Sequence, residues 1–216
     1  MNIEELIKIR HSAVNFMEEE KMTEDDFKKI FNLTKLAPSA FNLQFANYLV
    51  IMDEKKKEKV KELNHHQHKI QTASAVVIVM GNKNSAETFE AERIFSPMKM
   101  LKMMSELEYE NTLENIKSYN ESLHSSSNRL DTELALHVGI HALLFMLSAK
   151  HYGFDTCPMH VHNVDEMRKE FNIPAHLQPY MMITIGKSVD ITRPRGYRKP
   201  VGEFVNFNEF NLSYQR

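Results

Sequence analysis

Apolar residues recur along the chain at two spacings, which predict helices and strands respectively. Helical spacing predicts a first helix over residues 3–10 and a second one after Thr23. Thr23 and Asp26 can cap the second helix, because each side chain can bond the backbone N–H of the other residue. The continuous apolar runs ASAVVIVMG (73–81) and YMMITIGK (180–187) predict buried strands, the first of them covered on both faces.

Weaker patterns predict the remaining elements. They are a strand at 48–52, a charged helix at 55–63, an extended piece at FDTCPM (154–159) and a small helix at 164–171. Residues 83–128 are polar and rich in methionine, and they predict one or two helices with a mobile connection at HSSSN (124–128). The tail ends with the alternation typical of a strand.

The strongest helix signal begins at Asp131 or Thr132 and is ended by Gly153. This helix is apolar on nearly every side from Leu134 to Leu147, which predicts that it is buried in the middle of the molecule. The order of elements predicts an α+β fold with a central mixed or antiparallel sheet wrapped by helices. No internal repeat and no linker divides the chain.

Composition narrows the classes of function. A chain of 216 residues with 42% apolar and 26% charged residues suits one soluble, globular domain over residues 1–216. A net charge of −2 favours no nucleic-acid partner, and no apolar stretch approaches the roughly 20 residues of a membrane span. The acidic start of the chain predicts no signal peptide. The one cysteine, Cys157, cannot form an internal disulfide, which fits a cytoplasmic protein.

Three short stretches concentrate candidate binding chemistry. RHS (10–12) places a guanidinium and a hydroxyl at the end of the first helix, and the planar fork of arginine suits phosphate. PSAFNLQ (38–44) crowds hydrogen-bonding groups between a helix and a strand. RPRGYRKP (193–200) is a turn with the cations Arg193, Arg195, Arg198 and Lys199. Taken singly, such stretches are more often a solvated helix end, an ordinary loop and a basic surface turn. Neither GxGxxG nor GxxxxGK(S/T) is present.

The histidines and the cysteine are weaker candidates. HHQH (65–68) and the i, i+4 pair His137 and His141 lack an acid-rich or cysteine-rich partner motif, whereas zinc takes about four ligands. We therefore expect no metal site, and we expect the helix pair in the core or at an interface. Cys157 is expected to be a packed small residue rather than a nucleophile, because no His/Asn signature surrounds it.

Taken together and in order, RHS, APSAFNLQ, GFDTCPM and IGK followed by the arginine turn resemble the nitroreductase family of FMN-dependent oxidoreductases. The resemblance covers nearly the whole chain, and residues 83–130 match least. It implies a nitroreductase-like homodimer with a long buried interface helix and one FMN in the seam between the subunits. The tail of about residues 200–216 alternates like a strand with little chain left to pair with, so we expect it to reach the partner subunit.

The resemblance also implies which residues hold FMN. The segment on the phosphate and ribityl chain corresponds to Arg10, His11 and Ser12, joined by Arg198 on the same phosphate and by Arg195 as a weaker candidate nearby. The loop that reaches the flavin from the other subunit corresponds to Pro38, Ser39, Ala40 and Asn42, followed by Gln44 as the glutamine of that motif.

The flavin ring has its own matches. Lys69 corresponds to a lysine near the pyrimidine edge. The segment behind the ring, where a backbone N–H faces N5, corresponds to Pro158, Met159 and His160. Phe41 is expected to line the substrate pocket together with the methionine-rich segment 98–104.

Three departures from the family pattern concern substrate preference more than FMN binding. Val14 stands where many relatives carry a cation, and Phe45 and Ala46 replace the usual Pro-Trp. His160 and Val161 stand where some relatives carry an acidic residue and glycine. The other phosphate contacts are intact, so FMN is still expected.

These matches predict a cytoplasmic homodimer that takes a hydride from NADH or NADPH and reduces nitroaromatics, quinones or similar small molecules by a ping-pong mechanism. The cofactor carries the chemistry, so no side chain is assigned as a catalytic acid or base. Two alternatives stay open. One is other flavin chemistry of the family, as in dehydrogenases, dehalogenases or flavin-fragmenting enzymes. The other is a non-enzymatic redox sensor that binds flavin or metal.

Overall fold

The structure, a computed structural model, describes residues 2–126, 128–189 and 195–210. Its centre is a four-stranded sheet in which every neighbouring pair is antiparallel. The strands are β1 (Ala46–Ile51), β2 (Ala75–Asn82), β3 (Asp155–His160) and β4 (Leu177–Gly186), and their spatial order is β1-β2-β4-β3. β1 and β3 therefore form opposite edges of the sheet, while β2 and β4 lie between them.

Helices surround this sheet, which confirms the predicted α+β fold. In the described part of the chain they are α1 (Ile3–Ile9), α2 (Glu24–Thr34), α3 (Glu54–Leu63), α4 (His68–Thr72), α5 (Thr88–Met100), α6 (Glu106–Leu123), α7 (Arg129–His151) and α8 (Val164–Glu170). Short 3₁₀ turns occur at Ala40–Asn42 and Val201–Glu203. The predicted cap of α2 is confirmed: Asp26 N donates to Thr23 Oγ1 at 3.3 Å and Thr23 N donates to Asp26 Oδ2 at 3.0 Å.

The continuous apolar run of β2 follows from coverage on both faces of the sheet. Val77 points to one face, where Phe145 of α7 belongs to the same buried cluster. Ile78 points to the other face, where Val60 of α3 and Met167 of α8 pack. Burying one such aliphatic side chain contributes about 1.5–3 kcal/mol, so the sheet and the helices on its two faces form the stable frame of the molecule.

Helix α7 is buried along one side and open along the other. Leu134, Val138 and Phe145 are buried against the sheet, whereas Leu136 and Leu143 are 58% and 53% exposed. A length and composition test finds α7 apolar enough to cross a membrane, but half of the tested window is buried within the fold. The core helix of a soluble protein passes the same test. Within this chain α7 is buried on one side only, whereas the sequence predicted burial on nearly every side.

Residues 83–128 supply α5 and α6, which matches the predicted one or two helices. These helices cover a third buried cluster, in which Ile116 and Leu123 of α6 meet Leu134 of α7. Leu43 and Phe45 complete the cluster from the segment that leads into β1. The α5–α6 pair thereby forms the packing surface for the loop that precedes β1.

Three features differ from expectation. Helix α7 begins at Arg129 rather than at Asp131 or Thr132, because Thr132 N already donates to the carbonyl of Asn128 at 3.0 Å. The five-residue helix α4 is absent from the prediction, since it is too short to show a period. Residues 195–210 contain no strand, so the prediction of strand structure in the tail is wrong there. Residues 211–216 and Arg193 lie outside the described residues.

Candidate functional site

Arg10, Arg195 and Arg198, here called the arginine corner, meet where α1 ends. Arg10 is the C-terminal cap of α1. Nη2 of Arg195 donates to the carbonyl oxygens of Ile7, Lys8 and Arg10 at 2.9, 2.8 and 3.0 Å. The last carbonyls of a helix have no partner within the helix, so Arg195 satisfies them and fixes the turn 195–200 against α1.

The arginine corner carries positive charge with little compensation. Burial, followed by repulsion from Arg195 and Arg198, lowers the pKa of Arg10. Within the described ranges, none of the three guanidinium groups forms a salt bridge. Arg198 donates to the carbonyls of its own turn, Gly196 at 3.1 Å and Tyr197 at 2.8 Å. Clustered guanidinium groups without a carboxylate favour an anion that can accept several charge-assisted hydrogen bonds.

His11 and Ser12 run from the arginine corner onto the start of β3. Ser12 forms a parallel bridge with Thr156, and Ala13 N donates to Thr156 O at 3.0 Å. His11 Nδ1 lies 3.2 Å from Ile9 O and 3.9 Å from Asp155 Oδ1. His11 Nε2 and Thr156 Oγ1 are buried and have no hydrogen-bond partner in the described part of the protein. Such unpartnered groups are uncommon in folded proteins, and here they offer bonds to a polar ligand.

Lys69 approaches the same strand from α4. Its Nζ lies 3.5 Å from Sγ of the buried Cys157, directly before the predicted ring segment, residues 158–160. In that segment Pro158 and Met159 are half-buried, and His160 is exposed. Cys157 is also an electrostatic neighbour of Arg10. The structure therefore brings the predicted phosphate residues and the predicted ring residues together along the β3 edge.

Helix α4 is itself held by Lys57, a lysine with no exposed surface. Lys57 Nζ donates to the carbonyls of Gln71 at 3.1 Å and Ala73 at 2.6 Å, and it lies 3.0 Å from Glu54 Oε1. Burial lowers the pKa of Lys57, and the Glu54 carboxylate opposes this shift. A cation on the carbonyls at the end of α4 fixes the helix that presents Lys69.

The loop over residues 38–44, here called the strained loop, is braced internally. Gln44 N donates to Ser39 Oγ at 2.9 Å, and Gln44 Nε2 lies 3.3 Å from Asn42 O. Phe41, Asn42 and Gln44 have φ values of 48°, 56° and 52°, in the left-handed region that residues other than glycine seldom adopt. Each such residue costs on the order of 1 kcal/mol, and strain of this kind clusters at functional sites.

Buried neighbours hold the strained loop in this conformation. Leu43 and Phe45 are 2% and 0% exposed, and Ala40 packs on the same cluster. Pro38, Asn42 and Gln44 are exposed, as is Phe41 at 42%. The strained loop therefore displays an aromatic ring and two amides on a rigid base.

The strained loop and the arginine corner lie at opposite edges of the sheet. The loop leads into β1, the arginine corner lies against β3, and two strands separate them. Three strand spacings put β1 and β3 about 14 Å apart. The loop and the corner also lie at opposite ends of the strands, because the start of β1 lies level with the start of β4 and the start of β3 pairs with the end of β4. Within one chain, the structure thus divides the residues predicted to hold FMN into two separate groups.

Some residues of the site were not singled out from sequence. Thr156 lies inside the motif GFDTCPM. Its bridge to Ser12 marks it as part of the site, and sequence alone does not show that bridge. Lys57 belongs to a lysine-rich helix whose residues all look solvated in the sequence. His137 and His141 are buried in the core, in line with the expectation for this pair.

The fold and the site define the class of the protein. The chain matches the model of the Nitroreductase family over residues 7–187, and it belongs to that family. It is 38% identical over 203 residues to MhqN of Bacillus subtilis (strain 168), a protein named as a candidate NAD(P)H nitroreductase; the match covers 94% of this chain and 97% of MhqN.

Solved structures support the same assignment. The crystal structure of ydfN from Bacillus subtilis, described as a candidate nitroreductase, superposes with a TM-score of 0.88 at 36% identity, over 94% of this chain and 97% of that one. A candidate nitroreductase from Exiguobacterium sibiricum 255-15, solved in complex with FMN, gives a TM-score of 0.87 at 25% identity, over 96% and 98% of the chains.

Proposed function

We propose that the protein is an FMN-dependent oxidoreductase that uses NADH or NADPH to reduce small electron acceptors such as quinones and nitroaromatics. The observation that carries the proposal is the arginine corner, a cationic site beside two unpartnered polar atoms and next to Lys69. Membership of the nitroreductase family and the FMN complex of the Exiguobacterium relative support it.

The residues at the β3 edge fit FMN. Arg10, Ser12 and Arg198 would hold the phosphate, whose three oxygens can accept several charge-assisted bonds. Arg195 would contribute by keeping the turn of Arg198 on α1, since its own Nη2 is bonded to three carbonyls. His11 Nε2 and Thr156 Oγ1 supply further polar contacts where the described protein leaves them unpartnered.

The ring would lie along β3. Lys69 would place a positive charge near it, and the backbone of 158–160 would lie behind it. When bound, FMN supplies the hydride-accepting and electron-donating chemistry, so the protein needs to bind, orient and shield rather than act as acid or base. Pro158 and Met159 are half-buried, so they would limit the access of water to the ring.

We also propose that the active form is a homodimer. The strained loop lies at the opposite edge of the sheet from the arginine corner and at the opposite end of the strands, so a second copy brings its loop to the flavin more readily than the same chain does. The open face of α7, with Leu136 and Leu143 exposed, suits a second α7. Phe204, Phe207 and Phe210 are exposed at 63%, 83% and 78%, which supports a tail of about residues 200–216 that covers its apolar side chains on the partner. A cytoplasmic location is part of the proposal.

The deciding experiment is spectroscopic. The purified protein should be yellow, and under anaerobic conditions NADH or NADPH should bleach its flavin absorbance. Quinones and nitroaromatics added afterwards should restore the colour at rates that rank the acceptors. Protein that stays colourless after incubation with FMN would overturn the proposal, and yellow protein that neither nicotinamide bleaches would point to the other flavin chemistry.

A further inference from the structure

The exposed ring of Phe41 contacts an aromatic ring that leads into a polar cluster running from half-buried Tyr119 and Glu133 to buried His137. The Phe41 ring centroid lies 5.3 Å from that of Tyr119 on α6, with the planes tilted by 51°. The Tyr119 hydroxyl donates to Glu133 Oε1 at 2.6 Å. The same carboxylate oxygen lies 3.0 Å from His137 Nε2, one turn further along α7.

The chain of contacts returns to the strained loop. The His137 ring stacks flat on Phe45, with centroids 4.5 Å apart and an angle of 9° between the planes. Phe45 is the fully buried residue that follows Gln44. The contacts Phe41–Tyr119–Glu133–His137–Phe45 therefore tie the tip of the strained loop to the buried residue that follows the loop.

The protonation states follow from the contacts. A carboxylate oxygen can only accept, so His137 carries its proton on Nε2 in this contact. Burial, followed by the hydrogen bond and the charge of Glu133, raises the pKa of Tyr119, which therefore remains a donor. His137 is 4% exposed, and its Nδ1 has no partner among the described residues. Burying a polar atom without a partner, such as His137 Nδ1, costs free energy, and an apolar side chain at this position would avoid that cost.

We propose that Tyr119, Glu133 and His137 are positioning residues that fix the Phe41 ring at the wall of the acceptor pocket and thereby set which acceptors are reduced. The proposal rests on the proposed flavin function. A fixed ring favours acceptors that match the space beside it and rejects wider ones. In this proposal the three residues act through Phe41 and do not themselves contact the flavin or the acceptor.

Tyr119→Phe is the sharpest variant, because it keeps the ring against Phe41 and removes the bond to Glu133. Tyr109→Phe is the matched control on the same helix. The Tyr109 hydroxyl lies 3.1 Å from Ser96 Oγ, outside the series of contacts from Phe41 to Phe45. We expect Tyr119→Phe to raise kcat/KM for the wider naphthoquinone relative to that for benzoquinone about fivefold, mainly through KM. Glu133→Gln should act in the same direction, since the charge that strengthens both bonds is lost.

A second readout does not depend on turnover. The chain contains no tryptophan, so Phe41→Trp introduces a single one at the tip of the loop. Adding Tyr119→Phe should lower the fluorescence anisotropy of this tryptophan, and adding Tyr109→Phe should not. Unchanged acceptor ratios in yellow, NAD(P)H-reducible Tyr119→Phe and Glu133→Gln proteins would overturn the inference alone. A wild-type protein that takes up no flavin would overturn the proposed function, and the inference with it.

Discussion

The arginine corner is held by hydrogen bonds to exposed backbone, whereas the strained loop is held by buried side chains. Arg195 and Arg198 are exposed and bond carbonyls of α1 and of their own turn. Leu43 and Phe45, in contrast, anchor the loop in the core, and this packing offsets three left-handed residues. The comparison teaches that charge at one edge can change with little effect on folding, while the shape at the other edge depends on the core.

Mixed dimers test whether the two regions serve one site, and they should give the largest effect. A chain with Arg198→Ala keeps its strained loop, and a chain with Ser39→Ala and Asn42→Ala keeps its arginine corner. Each variant alone should bind little FMN, whereas co-expressed chains that form heterodimers contain one intact site. Bound flavin and NAD(P)H oxidation, measured on heterodimers purified through two tags, should recover from near zero to roughly half of wild type per dimer, one site in two. No recovery in verified heterodimers would show that each chain builds its own site.

Phe45→Ala tests the anchoring of the strained loop. The ring is fully buried and stacks on His137, so its removal should cost about 3–5 kcal/mol of the free energy of unfolding. Urea denaturation followed by circular dichroism measures the loss. Phe89→Ala is the control, because Phe89 is 71% exposed on α5 and should change stability little. Equal effects of the two substitutions would contradict the anchoring role of Phe45.

Arg198→Ala tests the arginine corner separately. The variant should bind FMN about 10- to 100-fold more weakly, as expected for the loss of charge-assisted bonds to phosphate, with riboflavin affinity almost unchanged. Lys199→Ala removes the same charge from the same turn and serves as the control. Fluorescence titration of the apoprotein with both flavins gives the dissociation constants. Parallel losses for FMN and riboflavin would mean that Arg198 does not contact the phosphate.

His141 should give the smallest effect, confined to the packed side of the comparison. Burial, followed by the charge of His137, lowers its pKa from the ordinary 6.5. The unfolded chain then binds more protons below that value, so the stability contribution is full above pH 6.5 and declines as pH falls towards the lowered pKa. His141→Gln should reduce the loss of urea stability between neutral and mildly acidic pH, and His151→Gln, an exposed change on the same helix, should leave it unaltered.

Much of the frame was predictable, because it rests on patterns that neighbouring residues in sequence set up. The buried strands β2 and β4 were visible as apolar runs, and the cap of α2 as Thr23 and Asp26. Helix α4 was too short for a period. Residues 195–210 form no strand on either edge of the sheet, so their alternation alone was a misleading signal.

The site was predictable as a set of residues but not as an arrangement. The motifs named Arg10, Lys69 and the 38–44 loop, and the family they indicated is confirmed. The left-handed residues could not be foreseen, since no glycine marks them. The bonds of Arg195 to α1 join residues far apart in sequence, so its docking role appears only once the chain is folded.

The buried amine of Lys57 also allows local opening of the protein to be measured. A nitrogen that bonds two carbonyls and faces Glu54, on a side chain with no exposed surface, cannot react with an acylating reagent while α3 lies on α4. Its neighbours Lys55 and Lys56 are exposed and should be modified at once. The slow acylation of Lys57, followed by peptide mass spectrometry, would therefore time the opening of the helix that presents Lys69.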